Sequence, residues 1–346
     1  MKQLLIVFII FLNLFVNAQK SDFKHIDFEK ADSIAKIYKG ATLKNMPILA
    51  YNLTNSLESQ VEKFRAIYIW VCSNIKSDHS FGELTLRKRK KFKNDSIAFY
   101  QWNSEARSRV FKTLWQEQKT ICTGYAYLIK ELSAFVDINC EIIDGYCRTS
   151  KRNVEKIDVP NHSWNAVKLD DKWYLVDATM ASGYFDLDRN RFVKNYNDGY
   201  FLADPDLFII KYYPLVEKWR LRRDKVSLKE FVSAPITYGS TFKYGIIPMT
   251  PKNLKTTVLV GEALMFKFKI TSNNASEEMR LIISSGLSRK TIKVSALDYR
   301  NGSIELKYHF IKKGNYNIHF MVNSDIVASY AVHAEKLRKQ KHLAQN

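Results

Sequence analysis

Two periodicities divide the chain. Up to about residue 136 apolar positions recur at helical spacing, and beyond residue 140 they mostly alternate. The pattern predicts a helix over 22–39, with Gly40 as its stop. A second helix is announced by Ser59 and Glu62, a capping-box pair, followed by Val61, Phe64, Ile67, Tyr68, Val71 and Ile75 on one face. Cys72 stands beside that stripe and reads as core. A third helix starts near Cys122, with Ala126, Ile129, Leu132 and Val136 as its buried side. Alternation then predicts strands over 140–149, 162–169 and 172–179, with Asp170-Asp171 as a two-residue hairpin turn between the last two. Residues 184–230 show no clear period. Residues 83–95, which hold the unbroken run Arg87, Lys88, Arg89, Lys90 and Lys91, are expected to form a solvated loop.

From about residue 240 the alternation sharpens into strands over 262–270, 279–285, 290–297, 303–310, 316–322 and 326–332, separated by turn residues such as Asn301-Gly302 and Lys313-Gly314. Short strands at this density match a β-sandwich of immunoglobulin type. The expected fold class is therefore α+β: a helix carrying Cys122 packed on an antiparallel sheet, followed by the sandwich. The expected domains are residues 19–235 and 240–335, with a basic tail at 336–346.

The first residues change the picture of where this fold resides. Lys2 precedes an apolar stretch from Leu4 to Val16, and Val16-Asn17-Ala18 offers a cleavage site, so residues 1–18 read as a secretory signal peptide. The stretch is short for a membrane span of about 20 residues. The expectation is a secreted or periplasmic protein with no stable transmembrane segment after cleavage. The formal net charge is +19. Export and the absence of any nucleic-acid-binding motif leave acidic or anionic surfaces as the partners such a charge would suit. Four cysteines, Cys72, Cys122, Cys140 and Cys147, are too few for a disulfide scaffold. Cys140 and Cys147 could pair only across a turn at Asp144-Gly145, and a continuous strand holds them too far apart.

The chemistry centres on Cys122. It falls in or just before the first turn of its helix, where unpaired N–H groups and the macrodipole favour a thiolate, and Gly124 keeps bulk away. A thiolate nucleophile needs a histidine and an orienting acid. Of seven histidines, His162 is the one that opens a strand in this region. With Asp170 and Asp171 as turn residues, His162 should face Thr179 and Trp164 should face Asp177. That register places Asp177 one diagonal step from His162 on the same face. One ring nitrogen would then bind Asp177 and leave the other for Cys122. No metal or cofactor site is expected.

The segments "EKFRAIYIWVCSNIKSD", "TICTGYAYLIKEL" and "NHSWNAVKLDDKWYLVDAT" resemble the transglutaminase-like superfamily of cysteine enzymes, and are similar to its kyphoscoliosis-peptidase branch. The branch pattern of Cys before Gly-Tyr-Ala, His-x-Trp-Asn and Trp-Tyr-x-x-Asp-x-Thr falls on Cys122, His162 and Asp177. "YFLADPDLFIIKYYPLVEKWRL" (200–221) resembles the continuation of that branch. The resemblance implies a papain-like fold over roughly residues 45–245 and acyl transfer through a thioester on a protein or peptide substrate. Met180 stands where the branch often carries tryptophan. Ile121 replaces the glutamine of calcium-dependent animal transglutaminases, which argues against protein cross-linking, and no acidic calcium loop is present. Hydrolysis of a peptide or amide is the favoured outcome. The alternatives are an amine-transferring cross-linker and a catalytically silent binding or scaffold protein. The Cys122 N–H is one natural oxyanion donor, and Trp102, Trp115, Gln116 and Gln118 are candidates for the second. A glycan on Asn161 would crowd His162, which disfavours use of that sequon.

Overall fold

The computed structural model describes residues 20–150, 152–271, 277–295 and 298–337. The expected leader lies outside the described residues, as does the basic tail from residue 338. Three helices come first: α1 (Glu29–Ile37), α2 (Met46–Thr54) and α3 (Gln60–Asn74). The capping box forms as the sequence predicts. Ser59 Oγ accepts the Glu62 N–H, and the Glu62 carboxylate accepts the Ser59 N–H at 3.1 Å. α3 is buried along nearly its whole length, with Phe64, Ile67, Tyr68, Trp70, Val71 and Cys72 in the core. Each large apolar side chain taken out of water there contributes about 1.5–3 kcal/mol. The first helix is shorter than expected. Lys20–Phe23 forms a 3-10 turn, and α1 begins only after Asp27 accepts the Glu29 N–H at 2.9 Å.

Two short strands, β1 (Lys76–Ser77) and β2 (Lys119–Thr120), pair in parallel and flank a helical hairpin, α4 (His79–Lys91) and α5 (Ser96–Glu117). The basic run is thus a helix, not a loop. Asp78 caps it by accepting the Phe81 N–H at 3.1 Å, and Phe81, Thr85 and Leu86 are buried on one side. Lysine and arginine are good helix formers. Their long charged ends leave the buried side to so few residues that no apolar stripe is visible.

α6 (Cys122–Ala134) packs against a four-stranded antiparallel sheet of order β5-β4-β3-β8, built from β3 (Cys140–Cys147), β4 (His162–Leu169), β5 (Lys172–Val176) and β8 (Tyr212–Pro214). The β4–β5 register pairs Leu169 with Lys172 and Asn165 with Val176, as the Asp170-Asp171 turn dictates. Both turn residues have positive φ, 45° and 64°, the type I′ geometry that suits strand twist. β5 ends at Val176 rather than 179. Asp177 instead caps α7 (Ala178–Ser182), so His162 does not face Thr179 and pairs with Gly145 of β3. Cys140 and Cys147 occupy opposite ends of β3, both buried and unpaired.

The segment without a clear period folds into a hairpin, β6 (Gly183–Asp186) and β7 (Arg191–Lys194), and then α8 (Pro205–Lys211), which leads into β8. After α9 (Leu228–Ser233), β9 (Ile236–Thr237) and α10 (Gly239–Lys243), the chain enters an immunoglobulin-like sandwich. One sheet holds β10 (Ile246–Thr250), β12 (Ala263–Ile270), β15 (Tyr299–Arg300) and β16 (Ser303–His309). The other holds β9, β11 (Lys255–Leu259), β13 (Met279–Ser285), β14 (Ser288–Lys293), β17 (Gly314–Val322) and β18 (Asp325–Glu335). Phe268 from the first sheet stacks on Phe320 from the second with ring centroids 3.9 Å apart, at the middle of a separate core. β9 and α10 join the two bodies. β9 pairs with β18, while Phe242 of α10 stacks on Tyr200 at 4.3 Å in the first core.

Candidate active site

Cys122 is the first residue of α6. Ile121 precedes it in extended conformation and contributes no capping side chain; its carbonyl accepts the Gly124 N–H at 2.9 Å, and the Cys122 thiol sits at the positive end of the helix. Among the described residues the Cys122 N–H donates to no protein acceptor. The β1–β2 pair fixes the approach of the chain, with the Asp78 N–H donating to Thr120 O at 2.7 Å. Gly124 allows the next step. A Cβ there would lie 1.9 Å from Thr120 Oγ1, so only glycine lets the first helical turn close down on β2.

His162 opens β4 and is 5 % exposed. Asn161, directly before it, is held at both ends of its side-chain amide. Oδ1 accepts the Cys147 N–H at 2.7 Å, and Nδ2 donates to Cys147 O at 3.0 Å. A glycan on Nδ2 would replace one of the two amide hydrogens and crowd this pairing with Cys147. The imidazole packs beside Trp164 and Tyr212, with ring centroids 6.2 and 5.7 Å away. Gly145, its strand partner, has no room for a side chain, because a Cβ would meet Tyr213 O at 2.3 Å.

Asp177 is fully buried, and its polar atoms are engaged from several elements. Oδ1 accepts the Met180 N–H at 3.0 Å, the capping bond of α7. Oδ2 accepts from His162 Nε2 and from the Tyr212 hydroxyl, each at 2.7 Å. Its carbonyl accepts the Tyr68 hydroxyl at 3.2 Å, and its N–H donates to Tyr200 O at 3.2 Å. With Nε2 committed to Asp177, Nδ1 is the ring nitrogen left for Cys122.

Electrostatics follow from this arrangement. Burial alone would push the Cys122 thiol up. The hydrogen bond and charge of His162, the positive charge of Arg89 and the Ser163 backbone N–H outweigh it, so the thiol lies below the ordinary value. Burial alone would lower His162, yet the Asp177 carboxylate and the thiolate hold it well above the usual imidazole range. Burial would likewise raise Asp177, but its charge contact with the imidazolium and its three donors keep it below the ordinary carboxylate value. The three groups therefore favour a thiolate, an imidazolium and a carboxylate in series. Cys72, Cys140 and Cys147 go the other way, pushed up by burial.

Cys122 and His162 line one cavity together with His79, Arg89, Arg152 and Met180. None of Trp102, Trp115, Gln116 and Gln118 reaches it. Trp115 packs against Phe111 and Tyr127, and the Gln118 side chain donates to Ala41 O at 2.6 Å. Sequence spacing also missed Tyr212 and Arg89. Tyr212 lies 35 residues beyond Asp177, within the stretch whose likeness to the branch continuation was its only signal. Arg89 was hidden in the charge run. Its guanidinium donates to Pro160 O at 3.1 Å and so ties α4 to the approach of β4. Among the described residues no cluster of His, Cys, Asp or Glu is disposed to hold a metal ion.

The profile of the transglutaminase-like superfamily matches residues 48–178, a span that starts in α2 and ends just beyond Asp177. Kyphoscoliosis peptidase of Mus musculus is 29% identical over 68% of this chain and 33% of its own length. The Homo sapiens protein of that name is 25% identical over 87% of this chain and 42% of its own. Hillarin of Drosophila melanogaster is 27% identical over 64% of this chain and 26% of its own. The chain thus spans less than half the length of each of these relatives. Residues 48–178 carry a domain of the transglutaminase-like superfamily, and the chain is similar to the kyphoscoliosis peptidases.

Proposed function

We propose that this protein is an exported cysteine enzyme that hydrolyses a peptide or amide bond through a thioester on Cys122. The observation that carries this reading is the series from a half-buried thiol of lowered pKa, through His162, to the Asp177 oxygen at 2.7 Å. In the first step the Cys122 thiolate attacks the carbonyl carbon, and the N-terminal end of α6 faces the developing oxyanion through the Cys122 N–H. The C–N bond breaks as His162 gives its Nδ1 proton to the departing amine. In the second step His162 takes a proton from water, hydroxide adds to the thioester carbon, and the carboxylic acid leaves as the thiolate returns. Asp177 orients the ring throughout and stabilises its charged form. Export rests on residues 1–18 alone.

Water is favoured over an amine as the second reactant because Ile121 replaces the glutamine found in the cross-linking animal enzymes. The test compares wild type, Cys122→Ala and His162→Ala with an iodoacetamide probe at neutral pH, and profiles peptide cleavage against incorporation of a labelled amine. Fast labelling of Cys122 that depends on His162, with cleavage of peptides, is the expected result. Labelling no faster than that of an ordinary exposed thiol and unaffected by His162→Ala would leave the scaffold reading. Amine adducts without hydrolysis would leave the cross-linking one.

A further inference from the structure

A second cavity of about 530 Å³ adjoins the catalytic one. This volume falls within the range of ligand pockets, roughly 300–1,000 Å³. The two cavities share only Arg89 and His162 among their lining residues, and Cys122 lines the first alone. The walls of the second are apolar: Phe92 and Phe99 from the α4–α5 hairpin face Val159, Pro160 and Leu215. Leu215 is 53 % exposed, a large apolar side chain left open to solvent beside the cavity.

The sharing pattern assigns the two sides. The acyl carbon bonds to Sγ, so the acyl part of a substrate must lie in the cavity that holds Cys122. The departing nitrogen takes its proton from His162 and need not touch the cysteine. The cavity that reaches His162 but not Cys122 is therefore on the amine side of the scissile bond. We propose that it is a specificity subsite for an apolar side chain, aromatic or branched, on the residue that follows that bond. This inference rests on the acyl-transfer reading above.

The rim explains which amines would be refused. Arg89 and Lys93 are both on it. Arg89 donates to a carbonyl and forms no ion pair among the described residues, so its charge is not cancelled. The single carboxylate of the lining, Asp144, already accepts the Ser163 hydroxyl at 2.6 Å. An ammonium group meets two cations against one carboxylate, a net positive rim. A lysine side chain is thus a poor occupant, both as the residue following the bond and as an attacking amine, which turns the thioester toward water.

The experiment uses the full chain and peptides randomised on the acyl side. Four sets carry Leu, Phe, Gly or Lys after the scissile bond, and a fifth ends in an ethyl thioester whose small leaving group does not reach the subsite. The sets with Leu and Phe should be cleaved with kcat/KM roughly tenfold or more above those with Gly and Lys. Leu215→Ser, at an exposed position, should reduce that preference severalfold and leave thioester hydrolysis unchanged, and Phe99→Ala should do the same. If Phe99→Ala also loses thioester hydrolysis, the fold has been damaged and Leu215→Ser decides. Cys122-dependent thioester hydrolysis with equal cleavage of all four peptide sets overturns the subsite and spares the enzyme. Absence of thioester hydrolysis in the wild type overturns both.

Discussion

Tyr212 donates its hydroxyl to Asp177 at 2.7 Å, onto the same oxygen that accepts from His162. The carboxylate is thereby held from two sides, by β8 and by β4, in a fully buried site. Tyr212→Phe keeps the ring that stacks on Phe208 at 4.1 Å and removes the hydroxyl that makes this bond. A hydrogen bond to a buried charge contributes about 1.5–3 kcal/mol, and that loss should appear in denaturant unfolding. Alkylation of Cys122 should slow severalfold as His162 loses its fixed partner. Unchanged unfolding together with unchanged alkylation would reduce Tyr212 to a packing residue.

The pH dependence of Cys122 alkylation has a defined sign. The thiol is lowered and the imidazole raised, so the ion pair exists between those two values. In the wild type the midpoint should lie below the roughly 8.5 of a free cysteine. In His162→Ala, burial is opposed only by Arg89 and the Ser163 N–H, its largest counterweight being gone, and the midpoint should rise toward that value or above it. A midpoint unmoved by the substitution would show that His162 does not set the thiol.

Gly124 predicts a steric failure. Gly124→Ala places a methyl group 1.9 Å from Thr120 Oγ1 and 2.8 Å from Thr120 Cβ. The first turn of α6 must shift away from β2, at an overpacking cost of about 1–3 kcal/mol. Thermal unfolding should report that loss, and Cys122 alkylation should slow with it, because the thiol rides on the displaced turn.

Ser59 offers a control remote from the chemistry. Ser59→Ala removes the acceptor of the Glu62 N–H and one half of the capping box. The expected cost is about 1 kcal/mol in unfolding free energy. Cys122 reactivity in the folded protein should not change, which separates loss of stability from loss of function.

Much of this architecture was legible because it is local. The capping box at Ser59 needs only four residues, and the register of β4 on β5 follows from two turn residues with positive φ. His162 and Asp177 do meet, but not through the continuous hairpin that the alternation of "KWYLVDAT" implies. Asp177 leaves the strand to cap α7, and its capping role and its contact with His162 use different oxygens. Alternation cannot show a strand ending at a cap. Tyr212 was illegible by spacing because β8 reaches Asp177 only after the β6–β7 hairpin and α8 have intervened. The α4–α5 hairpin was illegible for another reason: α5 buries only Val110 and Leu114 of its 22 residues, so it has almost no stripe to read.

The two-residue pairing of β1 with β2 brings the points where the chain leaves and rejoins the body side by side, Lys76 N–H to Gln118 O at 2.8 Å and Asp78 N–H to Thr120 O at 2.7 Å. Everything between them is, topologically, a graft on a single stem. Its outer end can lengthen, shorten or change sequence while the stem goes on delivering Cys122 to the same place. In a lineage of such proteins Cys122, His162 and Asp177 would stay put while the graft was exchanged.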